Sequence, residues 1–155
     1  MSLLEELSGL NSIFIDTAPI IYYIEAHQEY GPLMKEIVDC FQTNDLSAFT
    51  SVITITEVLP KLVSQNRGKL VEKFLNFLRN GKNFNLIEIS ADIAESAGRL
   101  RGKYDSLKAM DAIQLSAAIN AGADAFITND IKLKQVEEIR VIVLKDYRNV
   151  RIGIS

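Results

Sequence analysis

The chain has 155 residues, of which 48% are hydrophobic and 24% are charged, and this composition excludes a disordered or fibrous protein. Its one cysteine, Cys40, and its one histidine, His27, exclude an internal disulfide and a zinc site built from cysteine and histidine. A formal net charge of -3 gives no global basic field that would attract nucleic acid. No apolar run approaches the ~20 residues of a membrane span. We therefore expect a cytoplasmic protein without a membrane segment.

Five short apolar runs of strand length alternate along the chain with longer segments. These runs are residues 13–15, 48–52, 84–89, 125–128 and 141–144. Strands that alternate with helices pair in parallel through right-handed crossovers, so the pattern predicts an α/β fold with a central parallel sheet of about five strands. Helices on both faces of that sheet would make a three-layer α/β/α sandwich. Because no linker rich in Pro, Gly or Ser interrupts the chain, we expect a single domain over residues 1–155 with a core at about residues 13–144.

The longer segments have the periodicity and end signals of helices. Apolar residues recur at helical spacing over residues 55–63 and 70–78, and residues 107–121 are apolar nearly all round. Pro19 fits the first turn of a helix that opens just after the first strand, and Gly122 stands where the long apolar helix should end.

Two aspartates follow predicted strands directly. Asp16 comes immediately after the first strand, and Asp130 lies two residues beyond the end of the fourth. In open α/β sheets, ligands bind beyond the carboxyl ends of the strands, at the point where the strand order reverses. Both residues are therefore candidates for a functional site, although aspartate is also a common N-cap of helices and each could serve only that purpose.

Two further acids lie in predicted helices. Glu57 follows Thr54 by three residues, which is the spacing of a capping box at a helix start. Asp111 lies in the interior of the apolar helix, where burying an unpaired carboxylate is expensive. An ion pair with Arg99 or Lys103, which share a helix face, would explain Asp111 without a functional role. Sequence spacing alone does not establish that the four acids meet.

The sequences around these four acids resemble the motifs of the PIN domain nucleases, and in particular the small single-domain toxins of the VapC type. They read IFIDT at 13–17, SVITITEV at 51–58, YDSLKAMDAIQLSAA at 104–118 and FITND at 126–130. The resemblance spans residues 13–144 and is most specific between residues 104 and 130. It implies a PIN-like fold and a catalytic site formed by Asp16, Glu57, Asp111 and Asp130.

If these four carboxylates meet, they need a cation. Like charges about 4 Å apart repel by about 4 kcal/mol per pair at an effective dielectric constant near 20. Oxygen ligands without histidine or cysteine select hard divalent ions, so the expected cofactor is Mg²⁺ or Mn²⁺. We expect Glu57 to position a bound water or a second ion. The expected metal ligands are Asp16, Asp111 and Asp130, and the expected supporting residues are Thr17, Thr128 and Asn129.

The resemblance, rather than the spacing, implies that the substrate is RNA and that the protein is a metal-dependent endoribonuclease. Basic candidates for phosphate contacts are Lys61, Arg67, Lys69, Lys73, Arg99, Lys103 and Lys132. Of these, Arg99 and Lys103 are the predicted RNA-binding residues. Toxin-type relatives further imply a homodimer and a cognate antitoxin.

Two other functions are compatible with the sequence. One is a non-catalytic PIN-like module that binds RNA or a protein partner without cutting. The other is a metal-dependent phosphatase, which is less favoured because the Asp, any residue, Asp signature is missing after the first strand, where the sequence reads Asp16, Thr17, Ala18.

Overall fold

The computed structural model describes residues 1–43 and 45–147. The predicted single domain over 1–155 also includes Asn44 and residues 148–155, which lie outside the described residues. Throughout the described ranges, no helix combines the length and apolar character needed to cross a membrane.

Helical segments separate successive strands along the chain, as predicted, and the connections after β1, β2 and β3 each contain two α-helices. The strands are β1 Ser12–Ile15, β2 Ser47–Ser51, β3 Phe84–Ile87, β4 Ala125–Thr128 and β5 Arg140–Val143. The α-helices are α1 Leu3–Leu7, α2 Thr17–Ile24, α3 Gly31–Thr43, α4 Ile53–Ser64, α5 Gly68–Asn80, α6 Ala91–Lys103 and α7 Ala109–Asn120. Two short 3-10 helices, Ile131–Gln135 and Leu144–Tyr147, follow β4 and β5.

The five strands form one parallel sheet in the order β3-β2-β1-β4-β5. This confirms the predicted parallel sheet. The predicted third strand ran two residues too far, to Ile89, because β3 pairs with β2 and that partner strand ends at Ser51, opposite Ile87.

Alternate side chains of the central strands enter two separate apolar layers. Ile13 and Ile15 pack with helices α1 to α5 on one face of the sheet. Phe14 and Phe126 pack with α6 and α7 on the other face, where their rings stack with centroids 5.4 Å apart. Because each layer buries one face of the sheet, the fold is the predicted three-layer α/β/α sandwich.

The helix that leads into β4 ends as the sequence predicts. Gly122 has φ +75, its N–H donates to the carbonyl of Ile119, and the N–H of Ala123 donates to the carbonyl of Ala118. This pair of bonds is a Schellman motif, which favours glycine because the left-handed conformation crowds a Cβ atom. The chain therefore turns sharply into β4 at the amino end of the sheet.

The strand order positions a crevice. β1 lies at the centre, with β2 on one side and β4 on the other, so successive connections leave the centre in opposite directions. Such a reversal separates the loops at the carboxyl ends of β1 and β4 and opens a ligand-sized gap between them.

Candidate active site

A cleft of about 480 Å³ opens at the carboxyl ends of β1 and β4. Its lining includes the four predicted catalytic acids, Asp16, Glu57, Asp111 and Asp130, and the three predicted supporting residues, Thr17, Thr128 and Asn129. The remaining lining residues are Ala18, Ile21, Tyr22, Ile131, Lys132 and Lys145. The fold thus brings together acids from four remote segments, while their catalytic and metal-binding roles stay predictions.

Asp16 joins β1 to α2 and uses both carboxylate oxygens. Its Oδ1 accepts a hydrogen bond from the Thr17 N–H at 2.9 Å, so the residue is the N-cap that the sequence also allowed. Its Oδ2 accepts from the Thr128 hydroxyl at 2.9 Å. Burial raises the pKa of the Asp16 carboxyl to about 6, the two hydrogen bonds oppose this rise, and the charges of Asp111 and Glu57 add to it.

Asp111 lies in the first turn of α7 rather than in the interior of the helix. The predicted helix began at residue 107, but Lys108 has extended backbone with ψ 154 and the helix starts at Ala109. The N-terminus of α7 faces the carboxyl edge of the sheet, because α7 must run back down to the start of β4. Asp111 therefore lies at the end of α7 that faces the cleft.

The alternative explanation of Asp111, an ion pair with Arg99 or Lys103, is wrong. Arg99 pairs with Glu95, and Lys103 pairs with Glu138 at 3.3 Å. Burial raises the pKa of Asp111, and the negative charges of Asp130 and Glu57 raise it further, against an opposing effect of Lys108.

Glu57 reaches the cleft from the second turn of α4. The predicted capping box with Thr54 is wrong, because β2 leads into α4 with only Val52 between them and Thr54 already lies in the first helical turn. Instead, Glu57 Oε1 accepts a hydrogen bond from the Thr17 hydroxyl at 3.1 Å. Thr17 thereby links Glu57 to the segment that carries Asp16.

The residues after β4 hold each other in place. Asp130 Oδ1 accepts from the N–H of Lys132 at 3.0 Å and caps the 3-10 helix, as its N-cap explanation predicted. The Asp130 N–H donates to the Thr128 hydroxyl at 3.2 Å, and that hydroxyl donates to Asp16. Asn129, which is buried, accepts from the Lys145 N–H at 2.9 Å and donates to the Tyr22 hydroxyl at 3.3 Å.

A buried polar network beneath the acids was missed by the sequence reasoning. At its centre is Gln114, only 1% exposed, one helical turn after Asp111. Its side-chain N–H₂ donates to the Thr54 hydroxyl at 2.9 Å and to the Thr17 hydroxyl at 3.3 Å, and its Oε1 accepts from Ser51. The sequence offered one indication of this network, a glutamine among the apolar residues of α7. A glutamine at that position does not reveal which groups it bonds to.

The basic residues of the cleft differ from those predicted. Neither Arg99 nor Lys103 lines it, and the binding of RNA by those two residues stays a prediction. Lys132, one of the wider set of candidates, does line it, and so does Lys145, which the sequence reasoning missed. His27 lies elsewhere, where its Nδ1 accepts from the N–H groups of Glu29 and Tyr30.

The donor groups of the cleft fit a hard divalent cation, since its potential ligands include four carboxylates, and such ions prefer oxygen ligands. Burial raises the pKa values of Asp16 and Asp111 most, neighbouring acids raise them further, and a bound cation would relieve that repulsion. Within residues 1–43 and 45–147, however, no three carboxylate, imidazole or thiol groups stand close enough together to hold one ion as arranged. The acids share a cleft but do not form a closed coordination shell.

Comparison with known proteins gives a family. The sequence model of the PIN domain matches residues 13–139. No curated protein matches the chain.

Solved structures give the same architecture. VapBC2 from Rickettsia felis, bound to a DNA fragment from its promoter, matches with TM-score 0.66 and 18% identity over 85% of this chain and 98% of the other. A toxin-antitoxin complex from Klebsiella pneumoniae matches with TM-score 0.63 and 27% identity over 85% and 97%. VapC20 from Mycobacterium tuberculosis, a toxin that cleaves the sarcin-ricin loop, matches with TM-score 0.61 and 16% identity over 74% and 86%.

Proposed function

The chain belongs to the PIN domain family, and we propose that it is a metal-dependent endoribonuclease that hydrolyses RNA phosphodiester bonds. The observation that carries this proposal is the single cleft shared by Asp16, Glu57, Asp111 and Asp130. Burial and the repulsion between neighbouring acids raise the pKa values of Asp16 and Asp111, which is typical of functional sites. A metal ion that assists phosphodiester hydrolysis would offset this concentration of negative charge.

Asp16, Asp111 and Asp130 would hold Mg²⁺ or Mn²⁺, and Glu57 would orient a water molecule or a second ion. When bound, such a cation lowers the pKa of a coordinated water and stabilises charge on the leaving oxygen. Asp16 has a pKa of about 6 in the metal-free protein, so it is largely ionised near neutral pH and ready to bind. Thr17 and Thr128 fix its two oxygens, which reduces the rearrangement needed for binding.

We further propose that the protein is the toxin of a toxin-antitoxin pair, with a homodimer and a cognate antitoxin as its partners. The likeness to the complex from Klebsiella pneumoniae supports this proposal at 27% identity. Purification of the chain together with the product of a neighbouring reading frame would test for the antitoxin, and light scattering would test for the dimer.

One observation favours the alternative of a non-catalytic PIN-like module. The described residues contain no closed metal-ligand group, as a binding module that has no use for a metal would also show. The two functions differ in one measurable respect: the module binds RNA without shortening it.

The test is to incubate the purified protein with a mixed pool of RNA and Mg²⁺ or Mn²⁺. We expect cleavage that is abolished by chelation and reduced at least about a hundredfold by Asp111→Asn, because the substitution removes a metal ligand and a negative charge. Asp105→Asn is the matched control, since Asp105 is exposed, lies shortly before α7 and does not line the cleft. Full activity in the Asp111→Asn protein, with its fold intact, would reject the site.

A further inference from the structure

Two lysines share the cleft with the four acids. Lys132 belongs to the 3-10 helix after β4, and Lys145 belongs to the 3-10 helix after β5. Both side chains are exposed. Because β5 lies beside β4 at the edge of the sheet, the two lysines follow adjacent strands, and Lys145 lies on the β5 side of the strand ends that carry Asp16 and Asp130.

Neither lysine forms an ion pair with another described residue. Among the ion pairs of residues 1–43 and 45–147, none involves Lys132, Lys145 or any acid of the cleft. Neighbouring lysines behave differently: Lys134 pairs with Asp146, and Lys103 pairs with Glu138. Within the described residues, ion pairing therefore neutralises neither the acids of the cleft nor its two lysines.

The positions of the two lysines are fixed relative to the acids. The backbone N–H of Lys132 donates to Asp130 Oδ1 at 3.0 Å, and the backbone N–H of Lys145 donates to Asn129 Oδ1 at 2.9 Å. The same short segment after β4 holds Asp16 through the Thr128 hydroxyl at 2.9 Å. Asp16, Asp130 and the two lysines are thus linked through the segment after β4, which favours a fixed spacing between the acids and the lysines.

We propose that Lys132 and Lys145 bind the backbone phosphates adjacent to the scissile phosphate, so that the RNA strand runs from the acids toward the β5 side of the cleft. This inference rests on the proposed function, because the acids define where the scissile phosphate lies. Lysine contacts to phosphate position a strand without reading its sequence. The two residues are positioning residues for the substrate and take no part in the chemical step.

The first test measures binding of a fluorescent single-stranded RNA of about ten nucleotides to the Asp111→Asn protein, which keeps the probe intact. Lys132→Met and Lys145→Met should each weaken binding roughly tenfold. Each should also reduce the slope of log K against log salt concentration by about 0.7, the value for one lost phosphate contact on a single strand. Lys145→Arg should retain most of the affinity, because it keeps the charge.

The matched control is Lys82→Met. Lys82 is also exposed, but it lies between α5 and β3, at the amino edge of the sheet and away from the cleft. Its substitution should change neither the affinity nor the salt dependence. A loss of binding equal to that of the cleft variants would mean that any surface lysine suffices, which overturns the inference.

The second test measures steady-state cleavage by the lysine variants in the otherwise unchanged chain. We expect KM to rise roughly tenfold while kcat stays within about twofold, because the lost contacts are made equally in the ground state and the transition state. A lower melting temperature with unchanged RNA affinity would show that the lysines only offset the acidic charge, and this result would overturn the inference.

The two tests separate this inference from the nuclease proposal. Suppose that the unchanged chain cleaves RNA and that both lysine variants bind RNA as tightly as the Asp111→Asn parent protein. The proposed phosphate contacts would then be wrong, and the nuclease proposal would be supported. If no cleavage occurs but binding depends on both lysines, the nuclease proposal is wrong and the lysine contacts are supported.

Discussion

Asp16 shows why a residue can have a structural and a functional explanation at once. Its Oδ1 caps α2 and its Oδ2 binds Thr128, so the carboxylate is held firmly at the end of β1. The same placement buries it beside Asp111 and Glu57, which raises its pKa to about 6. The N-cap role of Asp16 is therefore compatible with its position in the cleft, and its predicted catalytic role stays a prediction.

The raised pKa of Asp16 predicts how the stability of the metal-free protein depends on pH. The carboxyl has a pKa of 3.8 ordinarily and about 6 in the folded protein, so the folded state holds the proton more tightly. The stability from this group is fully present below the ordinary pKa and is lost as pH rises through about 6, for a total of about 3 kcal/mol. Asp16→Asn should remove this loss, since asparagine is neutral and can still accept from Thr17.

Chemical denaturation in the presence of a chelator measures this effect. Near neutral pH, Asp16→Asn should raise the free energy of unfolding by roughly 1–3 kcal/mol, and near pH 4 it should leave that free energy almost unchanged. Asp105→Asn serves as the control and should show no such pH-dependent gain, because Asp105 is exposed. A destabilised Asp16→Asn protein near neutral pH would show that the cap outweighs the repulsion.

At the scale of elements, the site depends on the N-terminal half of α7. Gln114 ties this helix to Thr54 of α4, to Ser51 of β2 and to Thr17 of α2. The Thr54 hydroxyl continues the network to Thr50 at 2.8 Å. One glutamine side chain thus sets the distance between the elements that carry Asp111 and Glu57.

Two substitutions in α7 test this account. Gln114→Met keeps the side-chain volume but leaves buried hydroxyls without their partner, so we expect a loss of about 2–3 kcal/mol of unfolding free energy and reduced cleavage. Ser116→Ala is the matched control, because the Ser116 hydroxyl is buried without a hydrogen-bond partner in the described structure. Its removal should be neutral or stabilising by up to about 1 kcal/mol.

Urea denaturation and the RNA assay read out both variants. Equal effects of Gln114→Met and Ser116→Ala on the unfolding free energy would show that the hydrogen bonds of Gln114 do not stabilise the fold and that only the packing of α7 matters.

The elements that the sequence predicted well are those with local signals. Residues 125–128 form β4 as predicted, because a short apolar run bounded by glycine and polar residues has few other solutions. The start of α7 was placed too early, since Leu107 is buried and apolar yet precedes the helix. The capping box at Thr54 failed because a buried hydroxyl found partners on other elements, which no local pattern reveals.

At the scale of the whole molecule, the topology creates the site. The acids come from the end of β1, from α4, from α7 and from the loop after β4, and the order β3-β2-β1-β4-β5 brings all four to one crevice. The motif order indicated that they would meet, but only through resemblance. Long-range strand pairing decides which loops become neighbours. Sequence spacing therefore could not predict that Lys145 lines the cleft or that Gln114 bonds to three other elements.

The net charge of -3 likewise averages over surfaces of different character. The cleft concentrates four acids beside two lysines that form no ion pair with the described residues, and neither feature is visible in the composition. Overall charge is therefore a poor guide to the kind of ligand that the cleft would accept.

Calorimetric titration with Mn²⁺ near neutral pH measures whether carboxylates from four segments act as one cation site. The unchanged chain and the Asp105→Asn control should bind the ion with measurable heat, whereas Asp16→Asn and Asp111→Asn should each lose that binding. An unchanged chain that binds no Mn²⁺, or Mn²⁺ binding that survives both substitutions, would show that these carboxylates do not form a cation site.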